Sequence, residues 1–121
     1  MQIKEAIQKA YSNAERQGFY KDRHIDSILF DVQDEISEAR KATQQNCATS
    51  LFEMFQSDID SCRDFAESFE EYVKNSFEDE ITDAVIILFG IAGKYNIDLE
   101  RHIELKMQYN ATREYKHGKK Y

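Results

Sequence analysis

The chain has no proline, no tryptophan, only four glycines and only two cysteines among its 121 residues. Sandwiches and barrels of β-strands use glycine and proline in their many tight turns, so this scarcity argues strongly against an all-β fold. Cys47 and Cys62 match no spacing typical of a metal or redox site, and reduced thiols of a cytosolic protein are the plainer interpretation. The longest apolar run covers only residues 84–92, whereas a membrane span needs about 20 residues.

Composition and charge narrow the class of protein further. No apolar signal region follows the N-terminus, and we therefore expect a cytoplasmic protein without a membrane partner. A net charge of −7 repels nucleic acid, which is not an expected partner. Hydrophobic residues make up 41% and charged residues 32%, a mixture typical of a globular chain. Its length predicts a single domain over residues 1–121.

Apolar residues recur at steps of three and four along most of the chain, which predicts an all-α fold, a bundle of four to five helices. The predicted helices cover residues 2–17, from 24 or 25 to about 41–45, 57–74 after a short helix or loop, from 75 or 76 to 92 or 95, and from 98 to about 115. We expect Gly18 to close the first helix, and Ser76 and Asp98 to cap the last two. The helix that starts near Ser76 is apolar all round, so we expect it at the centre of the core or in a subunit interface.

Two pairs of carboxylates are the first candidates for chemistry. They are Glu35-x-x-Glu38 on the second predicted helix and Glu80-x-x-Asp83 on the helix that starts near Ser76. Residues three apart on a helix face the same way, so each pair can hold a hard cation from one side. If the two helices lie antiparallel, four carboxylates converge on a site suited to Mg²⁺ or Mn²⁺.

Acidic residues at this spacing also occur by chance. With 23 acidic residues in 121, about four such pairs are expected, and solvated helix faces are the plainer interpretation. The two chosen pairs differ from the others in their context. Asp83 borders the apolar run at residues 84–92, and Glu35 and Glu38 flank Ile36. Charges at the margin of a core are costly unless they are paired or bind a metal.

The C-terminal segment differs from the rest of the chain in charge. Residues 106–121 hold five basic residues and one acidic residue, whereas residues 1–105 hold eleven basic and 22 acidic ones. Lys106, Asn110 and Arg113 fall on one predicted helix face, with Tyr109 beside them. Such a face can hold a polyphosphate, although cations at a helix C-terminus can also simply offset the helix dipole. Carboxylates that bind Mg²⁺ and a cationic face are together what polyphosphate hydrolysis requires.

At this point the sequence resembles a known family. The segments Glu35-Ile-Ser-Glu38, Glu80-Ile-Thr-Asp83 and Lys106-Met-Gln-Tyr-Asn110-Ala-Thr-Arg113-Glu-Tyr-Lys-His117-Gly118 look like those of the MazG-like all-α nucleoside triphosphate pyrophosphohydrolases. The resemblance covers roughly residues 25–121. It implies a helical bundle that assembles as a homodimer or homotetramer, and Mg²⁺-dependent hydrolysis of a nucleoside triphosphate to the monophosphate and pyrophosphate, with Mn²⁺ as a possible substitute.

The resemblance also implies roles for residues at matching positions. Glu35, Glu38, Glu80 and Asp83 would be the metal ligands, and Glu35 or Glu38 would also orient or deprotonate the attacking water. The substrate phosphates and sugar would be contacted by Lys106, Asn110 and Arg113, with Tyr109 and Lys116 as weaker candidates.

One feature departs from the compact family pattern. The two acidic motifs are separated by 41 residues, and this segment holds the apolar residues Phe52, Phe55, Ile59, Phe65 and Phe69. The extra length extends a helix, adds a lid or enlarges a subunit interface. The rival to catalysis is a helical interaction module or a nucleotide-binding regulatory module, and convergence of the two acidic motifs is the feature that separates the two.

Overall fold

The computed structural model describes residues 2–44, 51–61 and 63–113, and these form helices joined by short turns. No strand occurs within those three ranges, so the predicted all-α fold is confirmed. The helices are α1 (Ile3–Arg16), α2 (Ile25–Gln44), α3 (Leu51–Asp60), α4 (Phe65–Tyr72), α5 (Phe77–Lys94) and α6 (Leu99–Thr112). Six helices are described where four to five were predicted.

The additional helix arises because the third predicted helix is divided, and the prediction of one helix over residues 57–74 is wrong. Asp64 starts a new helix: its Oδ2 accepts the backbone N–H of Glu67 at 3.0 Å, an N-cap hydrogen bond. On the other side of the break, the Ser61 hydroxyl donates to the Ser57 carbonyl at 3.0 Å. Serine and aspartate side chains compete with helical backbone bonds in this way, and here they end one helix and begin the next.

Other helix ends agree with prediction. Gly18 has a φ of +76°, and it and Phe19 donate backbone N–H groups to the Glu15 and Ala14 carbonyls, the hydrogen bonds of a Schellman motif. Ser76 accepts the Asp79 N–H at 3.2 Å, and Asp98 accepts the Arg101 N–H at 3.2 Å. The predicted caps of α1, α5 and α6 are therefore confirmed.

The last helix is shorter than predicted. It ends at Thr112 rather than near Tyr115, and Arg113 is its C-cap with extended backbone angles. The Thr112 hydroxyl donates to the Tyr109 carbonyl at 2.7 Å, and such a bond competes with the helical backbone ladder. Arg113 therefore follows the helix and does not lie on its face.

The described residues divide into two compact units. The first contains α1, α6 and the part of α5 from Phe89 onward. A Cβ on Gly93 would lie 2.6 Å from the Tyr11 Cβ, so the absence of a side chain lets α5 pack closely on α1. The second unit contains α2, α3, α4 and α5 up to Leu88. The prediction of a single domain stays a prediction.

The core of the second unit is built from one stripe on each long helix. On α2 the buried residues Ile28, Val32, Ala39 and Ala42 follow one face. On α5, Ser76 just before the helix, Glu80 and Ala84 recur at every fourth position and are also buried. The stripe on α2 passes through the position of Glu35, so both stripes carry an acidic residue into the packed interior.

Part of the apolar surface of α5 remains open in the single chain. Its exposed residues include Ile81, Val85, Ile86 and Leu88. The expectation that this helix lies at the centre of the core or in a subunit interface stays a prediction. Among the residues described, no helix combines the length and apolar character that crossing a membrane requires.

Candidate metal centre

Three carboxylates from the two predicted acidic motifs converge in the second unit. Each of Glu35, Glu80 and Asp83 offers one oxygen, and these oxygens all lie within 4.8 Å of one another. Glu80 is only 6% exposed, while Glu35 and Asp83 are half-buried. The i,i+3 spacing on α5 and the packed stripe of α2 place them on facing surfaces. The convergence of the two motifs, expected from spacing, is seen for these three residues.

Crowding of like charges makes the cluster hard to ionise. Burial, a hydrogen bond with Glu80 and the negative charges of Asp83, Glu80 and Glu38 raise the pKa of Glu35 to about 7. Burial and the charges of Asp79 and Glu80 also raise the pKa of Asp83. In the metal-free chain the pKa of Glu35 therefore lies close to neutral pH.

No lysine or arginine among the residues that the structure describes neutralises this cluster. Within the ranges that the structure describes, Glu35, Glu80 and Asp83 form no ion pair with lysine or arginine. Two arginines of the same unit pair with other carboxylates, Arg23 with Asp31 at 2.8 Å and Arg63 with Asp58 at 2.6 Å. Three carboxylate oxygens on one side, without a protein cation, are a donor set that fits Mg²⁺ or Mn²⁺ and leaves positions for water or phosphate.

Glu38, the fourth predicted ligand, is not part of this group. Its side chain is 52% exposed and its Oε1 lies 3.3 Å from Lys41 Nζ. It remains close enough for its charge to raise the pKa of Glu35. The predicted roles of Glu38 as a metal ligand or as the residue that activates water stay predictions.

The predicted phosphate-binding residues lie in the first unit, at the end of α6. Lys106 Nζ is 5.2 Å from the centroid of the Tyr109 ring, and the Arg113 guanidinium carbon is 5.6 Å from it. Tyr109 is 56% exposed, so both cations and the ring are accessible to a ligand. Asn110 is half-buried on the same helix. Lys116 lies outside the described residues.

Sequence reasoning missed a cavity beside the acidic motif of α5. It has a volume of about 220 Å³ and is lined by Phe52, Phe69, Tyr72, Val73, Ser76, Glu78, Asp79 and Thr82. The sequence feature that could have indicated this cavity is the group of aromatic residues in the long segment between the acidic motifs. Sequence alone did not show which of their rings face one another.

A scan against known protein families and searches of curated proteins and of solved structures find no match to this chain. The candidate site rests on the geometry of its own residues.

Proposed function

We propose that this chain is a Mg²⁺-dependent nucleoside triphosphate pyrophosphohydrolase that releases a nucleoside or deoxynucleoside monophosphate and pyrophosphate. The observation that carries the proposal is the convergence of Glu35, Glu80 and Asp83 from two motifs 41 residues apart. The order of these motifs and of the basic segment after them resembles the MazG-like pattern. A cytoplasmic role in controlling the nucleotide pool or removing abnormal nucleotides is the use that fits this reaction.

The acidic residues take the roles that the resemblance implies. Glu35, Glu80 and Asp83 would hold Mg²⁺, which when bound supplies a polarised water and a bridge between phosphate oxygens. Glu35 or the neighbouring Glu38 orients the attacking water and accepts its proton. Attack at the α-phosphorus then separates the monophosphate from pyrophosphate.

The basic residues after Leu105 are proposed to bind the substrate. Lys106 and Arg113 offset the charge of the phosphates, and Arg113 can contact two oxygens at once. Asn110 offers an amide to the phosphate or sugar, and Tyr109 and Lys116 are the weaker candidates. Support comes from the accessible grouping of Lys106 and Arg113 around the Tyr109 ring.

Assembly as a homodimer or homotetramer is part of the proposal. Four apolar residues of α5 are exposed in the single chain: Ile81, Val85, Ile86 and Leu88. Several exposed apolar residues on one helix are typical of a face that another subunit covers.

The test is a hydrolysis assay on a panel of nucleoside and deoxynucleoside triphosphates, with and without Mg²⁺ or Mn²⁺, that measures both products. We expect metal-dependent release of monophosphate and pyrophosphate in equal amounts. Asp83→Asn keeps the shape of the side chain and removes its charge, so it should lower kcat/KM at least about 100-fold, in line with loss of a group that supports transition-state charge.

Glu70→Gln is the matched control, because Glu70 is exposed on α4 and belongs to no acidic cluster in the described structure. It should retain wild-type activity. Full activity of Asp83→Asn would refute the metal assignment. Release of inorganic phosphate in place of pyrophosphate would refute the reaction class.

The position of Glu38 favours a second candidate. Because this expected ligand pairs with Lys41 outside the group, the chain is alternatively a nucleotide-binding regulatory or interaction module without turnover. Nucleotide binding with no hydrolysis in either metal would select it.

A further inference from the structure

The cavity beside α5 has aromatic walls that come from the long segment between the acidic motifs. Phe52 of α3 and Phe69 and Tyr72 of α4 line it, and all lie in the second unit. Phe55 packs against two of these rings, with centroid distances of 5.8 Å to Phe52 and 5.8 Å to Phe69. The walls are therefore held by ring-to-ring packing, and they offer flat apolar surfaces to a flat ligand.

One polar atom of this cavity lacks a partner. Glu78 Oε1 is shielded from solvent and accepts no hydrogen bond from any described residue. A shielded carboxylate oxygen without a donor is unfavourable. A ligand that enters the cavity therefore gains most if it presents an N–H or O–H group to Glu78.

Ser76, Asp79 and Thr82 of the lining each make at least one hydrogen bond already. The Thr82 hydroxyl donates to the Glu78 carbonyl at 2.7 Å, and the Ser76 hydroxyl accepts the Asp79 N–H. Asp79 Oδ2 accepts the Asn75 N–H at 2.9 Å. Glu78 Oε1 is the shielded side-chain oxygen of this lining that lacks a partner, so the Glu78 carboxylate is the acceptor on which we base recognition in this cavity.

We propose that this cavity binds the base of the substrate and that it selects guanine. A planar base fits between aromatic walls, and stacking of this kind holds bases in many nucleotide sites. The volume of about 220 Å³ suits a single base and not a whole nucleotide. This assignment of guanine rests on the proposed function, because it names the base of the triphosphate that the carboxylate site would hydrolyse.

Guanine is preferred because of the pattern of donors on its pairing edge. Its N1–H and N2–H₂ groups lie side by side and match a carboxylate with two parallel hydrogen bonds. Adenine and cytosine place an acceptor beside their amino group, and uracil and thymine flank their single N–H with two carbonyl oxygens. Each of these four bases therefore brings an acceptor against the negative charge of Glu78.

The position of the cavity on α5 agrees with this assignment. Asp79 and Thr82 of the cavity lining directly precede Glu80 and Asp83 of the cluster, so both sites lie on the same two turns of α5. The width of a helix with its side chains is about 10–12 Å. A nucleotide that spans this width places its base in the cavity and its phosphates at the cluster.

The first test measures binding of the four ribonucleosides to the full chain without metal, by equilibrium dialysis. Nucleosides carry no phosphate, so the result does not depend on hydrolysis or on the carboxylate cluster. We expect guanosine to bind at least about tenfold more tightly than adenosine, cytidine or uridine. Equal binding of all four nucleosides, or binding of none, would overturn the proposal.

The decisive variant is Glu78→Gln, whose amide presents an acceptor beside a donor. It should weaken guanosine binding at least about tenfold and strengthen adenosine or cytidine binding, because their edges complement an amide. Glu70→Gln is again the control and should bind like the wild type. Unchanged guanosine affinity in Glu78→Gln would refute the role of that carboxylate.

A second variant guards against a folding effect. Phe52 is 48% exposed, so Phe52→Ala removes a wall of the cavity at little cost to the core. It should weaken guanosine binding several-fold while the helical circular dichroism stays unchanged. Wild-type guanosine affinity in this variant would show that the ligand binds elsewhere.

The hydrolysis panel separates failure of this inference from failure of the proposed function. If guanosine binds through Glu78 but no triphosphate is hydrolysed, the assignment of the cavity as a guanine site stands and the proposed hydrolase activity is refuted. If all triphosphates are hydrolysed with equal kcat/KM and Glu78→Gln changes nothing, the proposed hydrolase activity stands and the assignment of the cavity as a guanine site is refuted.

Discussion

At the scale of single residues, Glu35 is central to how the metal-free protein responds to pH. Its pKa is raised to about 7, from an ordinary value near 4.5, mainly by burial and then by hydrogen bonding and neighbouring carboxylates. Asp83 shifts in the same direction for similar reasons. The folded state therefore binds more protons than the unfolded chain between these two values.

This difference sets the sign of the effect on stability. The stabilisation of the folded state by the raised pKa of Glu35 is fully present below the pKa of the unfolded chain. It is lost as the pH rises through about 7. We expect the free energy of unfolding of the metal-free protein to fall by about 1–2 kcal/mol between pH 5 and pH 8, an amount reduced for the partial exposure of the site. Urea denaturation across this pH range measures it.

Glu35→Gln provides the comparison at the same position. It should lose most of that pH dependence, and Mg²⁺ in excess should flatten the wild-type curve by binding the ionised carboxylates. A wild-type stability that rises from pH 5 to pH 8, with Glu35→Gln unchanged, would contradict the raised pKa.

At the scale of helices, the start of α4 depends on one side chain. Asp64 accepts the Glu67 N–H, and replacing an N-cap aspartate by alanine typically costs about 0.5–2 kcal/mol. We expect Asp64→Ala to destabilise the protein by about 1 kcal/mol in thermal or urea unfolding. Asp60→Ala, at the C-terminal end of α3 where a negative charge opposes the helix dipole, should cost nothing measurable.

The contact between α1 and α5 depends on Gly93 in the same way. Alanine there would place its Cβ 2.6 Å from the Tyr11 Cβ, and overpacking of this kind costs about 1–3 kcal/mol. We expect Gly93→Ala to lower stability despite the better helix propensity of alanine. Thermal unfolding measures the loss, and a more stable Gly93→Ala variant would show that the two helices separate easily.

The helix ends also show what local sequence can and cannot predict. Ser76 was predicted as a cap because acidic residues follow it in the first turn of a helix, and Asp98 because it is a capping residue type just before the last predicted helix. Asp64 was missed because the apolar residues on both sides of it, from Ile59 to Val73, keep one helical period across the break. Periodicity reports which face of a segment is apolar, whereas a break inside that period depends on hydrogen bonds such as that from Ser61 to Ser57.

At the scale of the whole molecule, the open apolar face of α5 leads to a prediction about assembly. We expect light scattering to give a mass of at least twice the 14.3 kDa of one chain. Ile86→Glu places a charge on this face at a residue that is 49% exposed, so it should produce monomers without loss of helical signal. Gln33→Glu, exposed on α2, should leave the mass unchanged, and a monomeric wild type would refute the oligomer.

The sequence by itself determined the helical class, most helix boundaries and three of the residues that meet in the cluster. Periodicity and capping are local, and the two acidic motifs were recognisable because their spacing and apolar neighbours lie within a few residues. Only the tertiary structure decided that Glu35 joins Glu80 and Asp83, and that aromatic rings from α3 and α4 line one cavity with Glu78. Those outcomes depend on how helices distant in sequence pack, since burial and like charges act across space and not along the chain.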